Sequence, residues 1–267
     1  MSYRFLIHSN NTPSSKAAEK TLREKLNKVG IDIVEELTDD VDLIVCIGGD
    51  GAFLEAVHTF NFPSIPFMGI NTGHLGFFQE LAPDDLDLFI SNYFDEKYAI
   101  QTMTTAKALV EHDHTIDEFT ALNEIIVKSD GIYTIHLDIS IGGEFIERFS
   151  GDGVLVSTPA GSTAYNYSLG GSIVDPRLEL LQVTPIAPMN TTAYRSFTSS
   201  ILLPHDLSLG IVPDVVGSKG RLLITSDSYG VEYDNVDNIE IMLSDQKVEL
   251  LRFENYDFWT KVKTKFL

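Results

Sequence analysis

The sequence contains little that would attach it to a membrane or suit it to an oxidising compartment. Cys46 is the single cysteine among 267 residues, which excludes an internal disulfide, and its place inside an apolar run predicts a buried, inert thiol. No apolar run reaches the roughly 18 residues that a membrane-spanning helix needs. The N-terminus also lacks the basic start and apolar core of a signal peptide. We therefore expect a cytoplasmic protein with no membrane partner.

Positive charge is also scarce. The chain carries 19 Lys and Arg against 39 Asp and Glu, a formal net charge of −20. Such a surface repels nucleic acid, so we expect no nucleic-acid partner. A small phosphate-bearing ligand meets the same repulsion. It must be held locally, by backbone N–H groups, scattered Lys or Arg, and a divalent cation.

Two familiar phosphate-binding motifs are missing. The turn Gly48-Gly49-Asp50-Gly51 is not followed by Gly-Lys-Ser/Thr, which excludes a Walker A motif. Leu54 stands where the third glycine of the dinucleotide fingerprint belongs, and the turn at residues 9–14 contains no glycine. An ordinary Rossmann dehydrogenase is therefore disfavoured.

The same glycine-rich turn is nevertheless the most informative segment. Residues 41–47 predict a buried strand, and residues 52–57 predict the first turns of a helix. Glycines at such a turn let the backbone approach a ligand and direct N–H groups at a phosphate. Asp50 would then be available to accept a proton or to bind a magnesium ion. The alternative is a tight turn whose aspartate serves only turn chemistry.

The hydrophobic period divides the chain into two predicted domains. Strands are predicted at 3–9, 31–37, 41–47 and 65–70, and helices at 15–29, up to Phe60 and from Pro83. This alternation predicts an α/β domain over residues 1–99 with a parallel sheet. Residues 100–253 predict a mostly β domain. Its predicted strands are 135–141, which precedes a hairpin turn at Gly142-Gly143, then a buried strand after the turn at Gly151-Asp152-Gly153, and 222–225, 231–233, 239–243 and 248–253. Residues 254–267, with a helix at 256–263, are expected to pack back on the first domain.

Three polar segments accompany these strands. Residues 71–78 follow a strand end, where α/β sheets bind ligands, and Phe77-Phe78 either stack on a planar base or enter the core. Asn123-Glu124 has the amide and carboxylate that grip a diol, although a solvated turn explains it equally well. Residues 157–165 are rich in Ser, Thr and Gly, and Ser162 or Thr163 is predicted to cap a helix. Tyr165 adds an aromatic face. No Lys or Arg occurs from residue 149 to 176, so phosphate binding there would be neutral or metal-assisted.

Together these segments resemble the NAD kinase family, which transfers a phosphoryl group to the 2′-hydroxyl of the adenosine ribose of NAD. Gly48-Gly49-Asp50-Gly51 resembles the first signature of the family, Asn123-Glu124 the second, and Asp152-Gly153 through Tyr165 the third. The third is the most specific, because Ser-Thr-Pro-x-Gly-Ser-Thr-Ala-Tyr is rarely seen elsewhere. Asn71 to Phe77 also fits the Asn-x-Gly-x-x-Gly-Phe pattern, and Phe258-Trp259 is similar to the C-terminal end of the family.

The resemblance implies a cytoplasmic kinase with ATP and NAD as substrates and Mg²⁺ or another divalent cation as cofactor. It also implies two domains with the site between them, and a homo-oligomer, either a dimer or a tetramer. The phosphoryl donor, ATP or polyphosphate, and the metal ligands stay open.

The resemblance also assigns roles to single residues. Asp50 would be the catalytic base at the 2′-hydroxyl. The NAD-binding set is Asp50, Gly51, Phe77, Asn123, Glu124, Asp152, Ser162, Thr163, Ala164, Tyr165, Ser168 and Ala187. The loop for the donor phosphates is Gly48, Gly49, Gly51 and Asn71. Two positions depart from the family pattern: Ala160, where Thr is frequent, and Ser150, where relatives often carry an arginine that would neutralise a phosphate.

Two other functions compete with this interpretation. Gly-Gly-Asp-Gly turns also occur in lipid and sugar kinases of the diacylglycerol and phosphofructokinase types, but residues 157–165 favour NAD as the acceptor. A regulatory module that senses NAD(P) without turnover is the other alternative. An intact Asp50 argues against such a module.

Overall fold

A computed structural model describes residues 3–192, 195–214 and 221–266 of the chain. Residues 1, 2 and 267 of the predicted first domain lie outside these ranges, as do 193–194 and 215–220 of the predicted second domain. The chain divides into two compact units, one of Met1–Thr102 with Lys247–Leu267 and the other of Met103–Gln246. The first unit is α/β and the second mostly β, which confirms the predicted fold class, and the C-terminal segment belongs to the first unit.

The elements alternate in the first unit and are mostly strands in the second. The helices are α1 (Pro13–Lys28), α2 (Asp50–Thr59), α3 (Leu86–Phe94), α4 (Tyr165–Ser168) and α5 (Phe258–Phe266), with 3-10 helices at Pro83–Asp85 and Ala160–Thr163. The strands are β1 (Arg4–Ser9), β2 (Asp32–Val34), β3 (Leu43–Gly48), β4 (Phe67–Asn71), β5 (Gln79–Leu81), β6 (Tyr98–His112), β7 (Thr115–Ala121), β8 (Glu124–Ser129), β9 (Ile135–Ile141), β10 (Glu144–Gly151), β11 (Gly153–Ser157), β12 (Leu180–Ile186), β13 (Ile201–Pro204), β14 (Leu209–Pro213), β15 (Leu222–Ser226), β16 (Tyr229–Tyr233) and β17 (Asn238–Phe253). None of the helices in the described ranges is long and apolar enough to cross a membrane.

The first unit is built on a parallel sheet of order β2-β1-β3-β4-β17, with β5 parallel to β4. Every residue of β3 is buried, as expected for a parallel strand covered on both faces. Its apolar run therefore specifies the centre of the sheet. It also fixes the place of the turn at Gly48-Gly49, because the strand ends there and α2 begins at Asp50.

Helix α1 begins two residues before the predicted position. Thr12 is its N-cap, and the Thr12 hydroxyl accepts the N–H of Ser15 at 3.3 Å. Pro13 follows as the first helical residue, where its missing N–H costs nothing. The prediction relied on the apolar stripe, which starts only at Ala18. The capping residues lie ahead of that stripe, and they decide where the helix begins.

The second unit contains an antiparallel sheet of order β13-β12-β11-β8-β15-β16. The predicted hairpin of β9 and β10 is confirmed, with Gly142 and Gly143 at φ 57° and 85°, the left-handed values that a two-residue turn requires. One prediction is wrong. Residues 239–243 and 248–253 belong to a single strand, β17. Strand β17 pairs with β6, and within the polar stretch the Gln246 carbonyl accepts the hydroxyl of Thr105 in β6 at 2.6 Å.

A buried ion pair anchors the loop after β4 in the first unit. The side chains of Arg252 and Glu80 are 5% and 3% exposed, and their charged atoms lie 3.1 Å apart. The guanidinium also donates to the carbonyls of Phe77 and Phe78 at 3.1 and 3.3 Å, and to Gln101 Oε1 at 2.8 Å. The second carboxylate oxygen of Glu80 accepts the N–H of Phe253 at 2.7 Å. Such complete pairing is what makes a buried charge tolerable.

We predict that Arg252→Met destabilises the protein by about 3–5 kcal/mol, because it leaves Glu80 buried without its partner. The free energy of unfolding is measured by urea denaturation followed by circular dichroism. Arg4→Met is the matched control, since Arg4 pairs with Asp40 at the surface and should lose no more than about 1 kcal/mol. Equal losses in the two variants would show that the buried pair does not anchor this loop.

Candidate active site

Asp50 is displayed at the N-terminus of α2, directly after the buried strand β3. Its Oδ1 accepts the N–H of Phe77 at 3.0 Å and that of Phe78 at 3.1 Å. Its Oδ2 lies 3.6 Å from the ammonium of Lys265, and the side chain is 28% exposed. The carboxylate is therefore held in one orientation by protein donors and remains accessible from one side.

The glycines around Asp50 serve two different purposes. A Cβ on Gly48 would lie 2.5 Å from the Cβ of Ala52, and one on Gly76 would collide with Asp50 Oδ1, so packing alone demands both glycines. At Gly49 and Gly51 a Cβ would meet no described atom within 4 Å other than those of the adjacent residues and of the α2 backbone. Nothing described in the protein requires those two glycines. Open backbone at these positions fits a ligand that approaches the chain closely.

The loop after β4 supplies backbone donors, and its aromatic rings belong to the core. Phe77 and Phe78 are 7% and 4% exposed. The Phe78 ring stacks on Phe53 with centroids 4.7 Å apart, and the Phe77 ring lies 5.7 Å from that of Phe258. This favours the core interpretation over stacking on a base. Asn71 ends β4, and its side-chain oxygen accepts the N–H of Gly73 at 3.0 Å.

The second unit brings Asn123 and Glu124 together with Asp227, a residue that sequence reasoning did not select. The Asp227 carboxylate accepts the N–H groups of Leu122, Asn123 and Glu124 at 2.9, 2.7 and 3.2 Å. The N–H of Asp227 returns a bond to the Glu124 carbonyl at 3.0 Å, and Asp227 itself has a φ of 51°. Only the short Ser-Asp-Ser turn between two predicted strands could have signalled it.

The Asn123-Glu124 pair is buried and incompletely satisfied. The two residues are 6% and 7% exposed. Burial, and then the charge of Asp227, raise the pKa of Glu124 from its usual range to about 8. Asn123 Oδ1 and Glu124 Oε2 are buried atoms without a hydrogen-bond partner in the described part of the chain. Because such atoms are costly unless they are paired, they suit the hydroxyl groups of a bound ligand.

Residues 157–161 pack directly on this pair. The Thr158 hydroxyl donates to the Leu122 carbonyl at 2.6 Å, and the Thr158 N–H to the Asn123 carbonyl at 2.9 Å. A Cβ on Gly161 would collide with the Asn123 carbonyl oxygen. The small residues of this segment therefore let it approach β8 closely.

The predicted helix cap in this segment is wrong. Ser162 and Thr163 lie inside the 3-10 helix, and α4 begins only at Tyr165, with no side-chain cap. The Ser162 hydroxyl is fully buried, donates to the Pro159 carbonyl at 2.7 Å and accepts the Val174 N–H at 3.0 Å. The N-cap position of α4 falls at Ala164, so the Ser162 hydroxyl bonds within its own segment and with Val174 instead. The ligand contact of Ser162 stays a prediction.

The other predicted contact residues lie at two places in the second unit. Tyr165 is 42% exposed on α4, which also carries Ser168. Asp152 lies between β10 and β11, and its N–H donates to the carbonyl of Ile186, the residue before Ala187, at 3.0 Å. Ser150 is buried, with its hydroxyl 2.7 Å from His136 Nδ1. The serine side chain therefore brings no cation to this position.

No group of three His, Cys, Asp or Glu side chains that could hold a metal occurs within residues 3–192, 195–214 and 221–266. Mg²⁺ seldom needs such a cage, because it is usually bound by one or two carboxylates together with substrate phosphates. The partly exposed Asp50 carboxylate fits that mode of binding.

Comparisons with known proteins agree with one another. Sequence models described as ATP-NAD kinase N-terminal and C-terminal domains match residues 5–98 and 122–253. The NAD kinase of Finegoldia magna is 39% identical over 98% of this chain and 97% of its own length. NAD kinase 1 of Oceanobacillus iheyensis is 34% identical over 98% of both chains.

Two solved structures share the fold. The first is yeast NADH kinase complexed with NADH, with a TM-score of 0.85, 21% identity, and coverage of 98% of this chain and 86% of that chain. The second is an NAD kinase from Archaeoglobus fulgidus in complex with ATP, with a TM-score of 0.76, 22% identity and 99% coverage of both chains.

The raised pKa of Glu124 predicts a pH-dependent stability. The folded state keeps a proton on Glu124 that the unfolded state releases above pH 4.5. The unfolding free energy is therefore at its full value below pH 4.5 and falls as pH rises through about 8. Glu124→Gln cannot ionise. Relative to this variant, the wild type should lose about 2–4 kcal/mol of unfolding free energy between pH 5 and pH 8.

Urea denaturation at pH 5, 6.5 and 8 measures this difference. Glu118→Gln is the control, because the side chain of Glu118 is 53% exposed and its removal should leave the pH profile unchanged. Parallel profiles for wild type and Glu124→Gln would contradict the prediction.

Proposed function

We propose that this chain, which belongs to the NAD kinase family, transfers the γ-phosphoryl group of ATP to the 2′-hydroxyl of the adenosine ribose of NAD, forming NADP. The observation that carries this proposal is the Asp50 carboxylate, which is fixed by the N–H groups of Phe77 and Phe78 at a glycine-rich turn. The names of the relatives support the reaction, and their similarity extends over nearly the whole chain.

Asp50 is the proposed general base. A ribose hydroxyl is a weak nucleophile at neutral pH, and a positioned carboxylate that accepts its proton typically contributes 10²–10⁴-fold, or about 3–5 kcal/mol of the barrier. Both backbone donors bind Oδ1, and the Phe77 N–H also lies 3.2 Å from Oδ2, yet part of the carboxylate stays exposed. A fixed orientation with one accessible side suits proton abstraction from a bound hydroxyl.

The backbone of residues 48–51 is the proposed contact for phosphate. Open space above Gly49 and Gly51 allows close approach, and the N-terminus of α2 favours an anion. Asn71 is proposed to complete this donor loop. Mg²⁺, when bound, would be held by the nucleotide phosphates and would neutralise their charge, while the Asp50 carboxylate serves the acceptor hydroxyl.

The buried pair in the second unit is the proposed anchor for NAD. Asn123 Oδ1 and Glu124 Oε2, which lack partners in the described residues, match the hydroxyl groups of a ribose diol. Tyr165 offers an exposed ring for stacking. The further proposed contacts are Gly51, Phe77, Asp152, Ser162, Thr163, Ala164, Ser168 and Ala187. A cytoplasmic location, a homo-oligomer and the absence of nucleic-acid and membrane partners stay predictions.

One assay separates this function from its competitors. Purified protein is incubated with NAD, ATP and MgCl₂, and NADP is detected with an NADP-specific dehydrogenase. We expect NADP with NAD as acceptor and no phosphorylated product with diacylglycerol. Binding of NAD without turnover would support a sensor, and phosphorylation of the lipid would support a lipid kinase.

We predict that Asp50→Asn lowers kcat by roughly 10²-fold or more, because the amide cannot accept the hydroxyl proton. The asparagine oxygen can still accept the two backbone N–H groups, so folding and the KM for NAD should change little. Steady-state assays and melting curves measure both effects, with the exposed Asp39→Asn as control. A kcat within threefold of the wild-type value would reduce Asp50 to a turn residue.

A further inference from the structure

The C-terminal helix α5 packs on the loop that holds Asp50. Phe258 and Val262 are 8% and 4% exposed, and the rings of Phe258 and Phe266 lie 5.7 and 5.9 Å from that of Phe77. The ammonium of Lys261 donates to the carbonyl of Gln79. The helix therefore has a fixed position beside Asp50 within the first unit.

Three lysines on α5 have three different environments. Lys261 is partly buried, and burial together with the charge of Arg252 lowers its pKa to about 8. Lys263 is exposed. Lys265 extends along the Phe77 ring, with its ammonium 4.9 Å from the ring centroid and 3.6 Å from Asp50 Oδ2. Lys265 thus brings a cation to the carboxylate at the glycine-rich turn.

This cation supplies the positive charge for nucleotide phosphates that the glycine-rich turn lacks. Residues 48–54 contain no Lys or Arg, and the net charge of −20 repels an incoming nucleotide. An ammonium on a flexible four-carbon stem can turn from a carboxylate to a phosphate a few ångströms away. Its side chain is 35% exposed, so this movement displaces no core packing.

We propose that Lys265 is a phosphate-binding residue of the phosphoryl-transfer site, paired with Asp50 in the free protein and transferred to the ATP phosphates when the nucleotide binds. The exchange frees the Asp50 carboxylate for the acceptor hydroxyl and places a positive charge on the donor. This inference rests on the proposed NAD kinase reaction.

The test compares Lys265→Met with Lys263→Met. We expect Lys265→Met to raise the KM for ATP about 10–100-fold, because a charge-assisted contact is lost, and to leave the KM for NAD within twofold. Lys263→Met should match the wild type, and Lys265→Arg should restore most of the affinity for ATP. A purely structural lysine would not give this split between the two substrates.

Further outcomes decide the remaining cases. Equal KM values for ATP in Lys265→Met and Lys263→Met would overturn the proposal. If Lys265→Met does not fold, Lys265→Gln and Lys265→Arg replace it, and equal affinity of these two for ATP would also overturn it. If the wild type forms no NADP, the proposed function fails by itself. Calorimetric titration of the same variants with ATP then still decides whether Lys265 binds phosphate.

Discussion

The backbone of Phe77 and Phe78 binds two charged side chains, one through its N–H groups and the other through its carbonyl groups. Their N–H groups hold the Asp50 carboxylate, and their carbonyls accept the buried guanidinium of Arg252. The guanidinium is itself neutralised by Glu80. Asp50 and Arg252 are both bonded to the backbone of this loop, and Arg252 is also paired with Glu80. These contacts together hold the loop after β4 in one arrangement. Asp50 is consequently positioned by backbone dipoles and by a buried ion pair rather than by the glycine turn alone.

In the second unit, too, a carboxylate accepts backbone N–H groups, here at the Asn123-Glu124 pair. There the Asp227 carboxylate gathers three successive backbone N–H groups and fixes the start of β8. This arrangement also buries the carboxyl group of Glu124 near Asp227. Burial and the charge of Asp227 raise the pKa of Glu124 to about 8. In both units the polar groups proposed for function are held by donors and acceptors of the main chain. The fold therefore sets the positions of these polar side chains, because it fixes the main-chain groups that hold them.

Local patterns account for what the sequence predicted correctly. The buried run before Gly48, the hairpin at Gly142-Gly143 and the two fold classes follow from hydrophobic period and turn chemistry. The residues that were missed act over long separations: Asp227 lies 103 to 105 residues from its partners, and Arg252 is 172 residues from Glu80. No local pattern reports such pairs. The predicted cap at Ser162 was wrong for a different reason: Ser162 lies inside a 3-10 helix, and α4 begins later with Ala164 at its N-cap.

Amide hydrogen exchange at Phe77 and Phe78 tests most directly whether the Asp50 carboxylate is held by these two groups. In the wild type both amides should exchange slowly, because each donates to Oδ1 at 3.0 or 3.1 Å. In Asp50→Ala the acceptor is gone, and both rates should rise at least about tenfold, the equivalent of a hydrogen bond worth roughly 1.4 kcal/mol. Unchanged exchange at both positions in a folded Asp50→Ala variant would contradict the account.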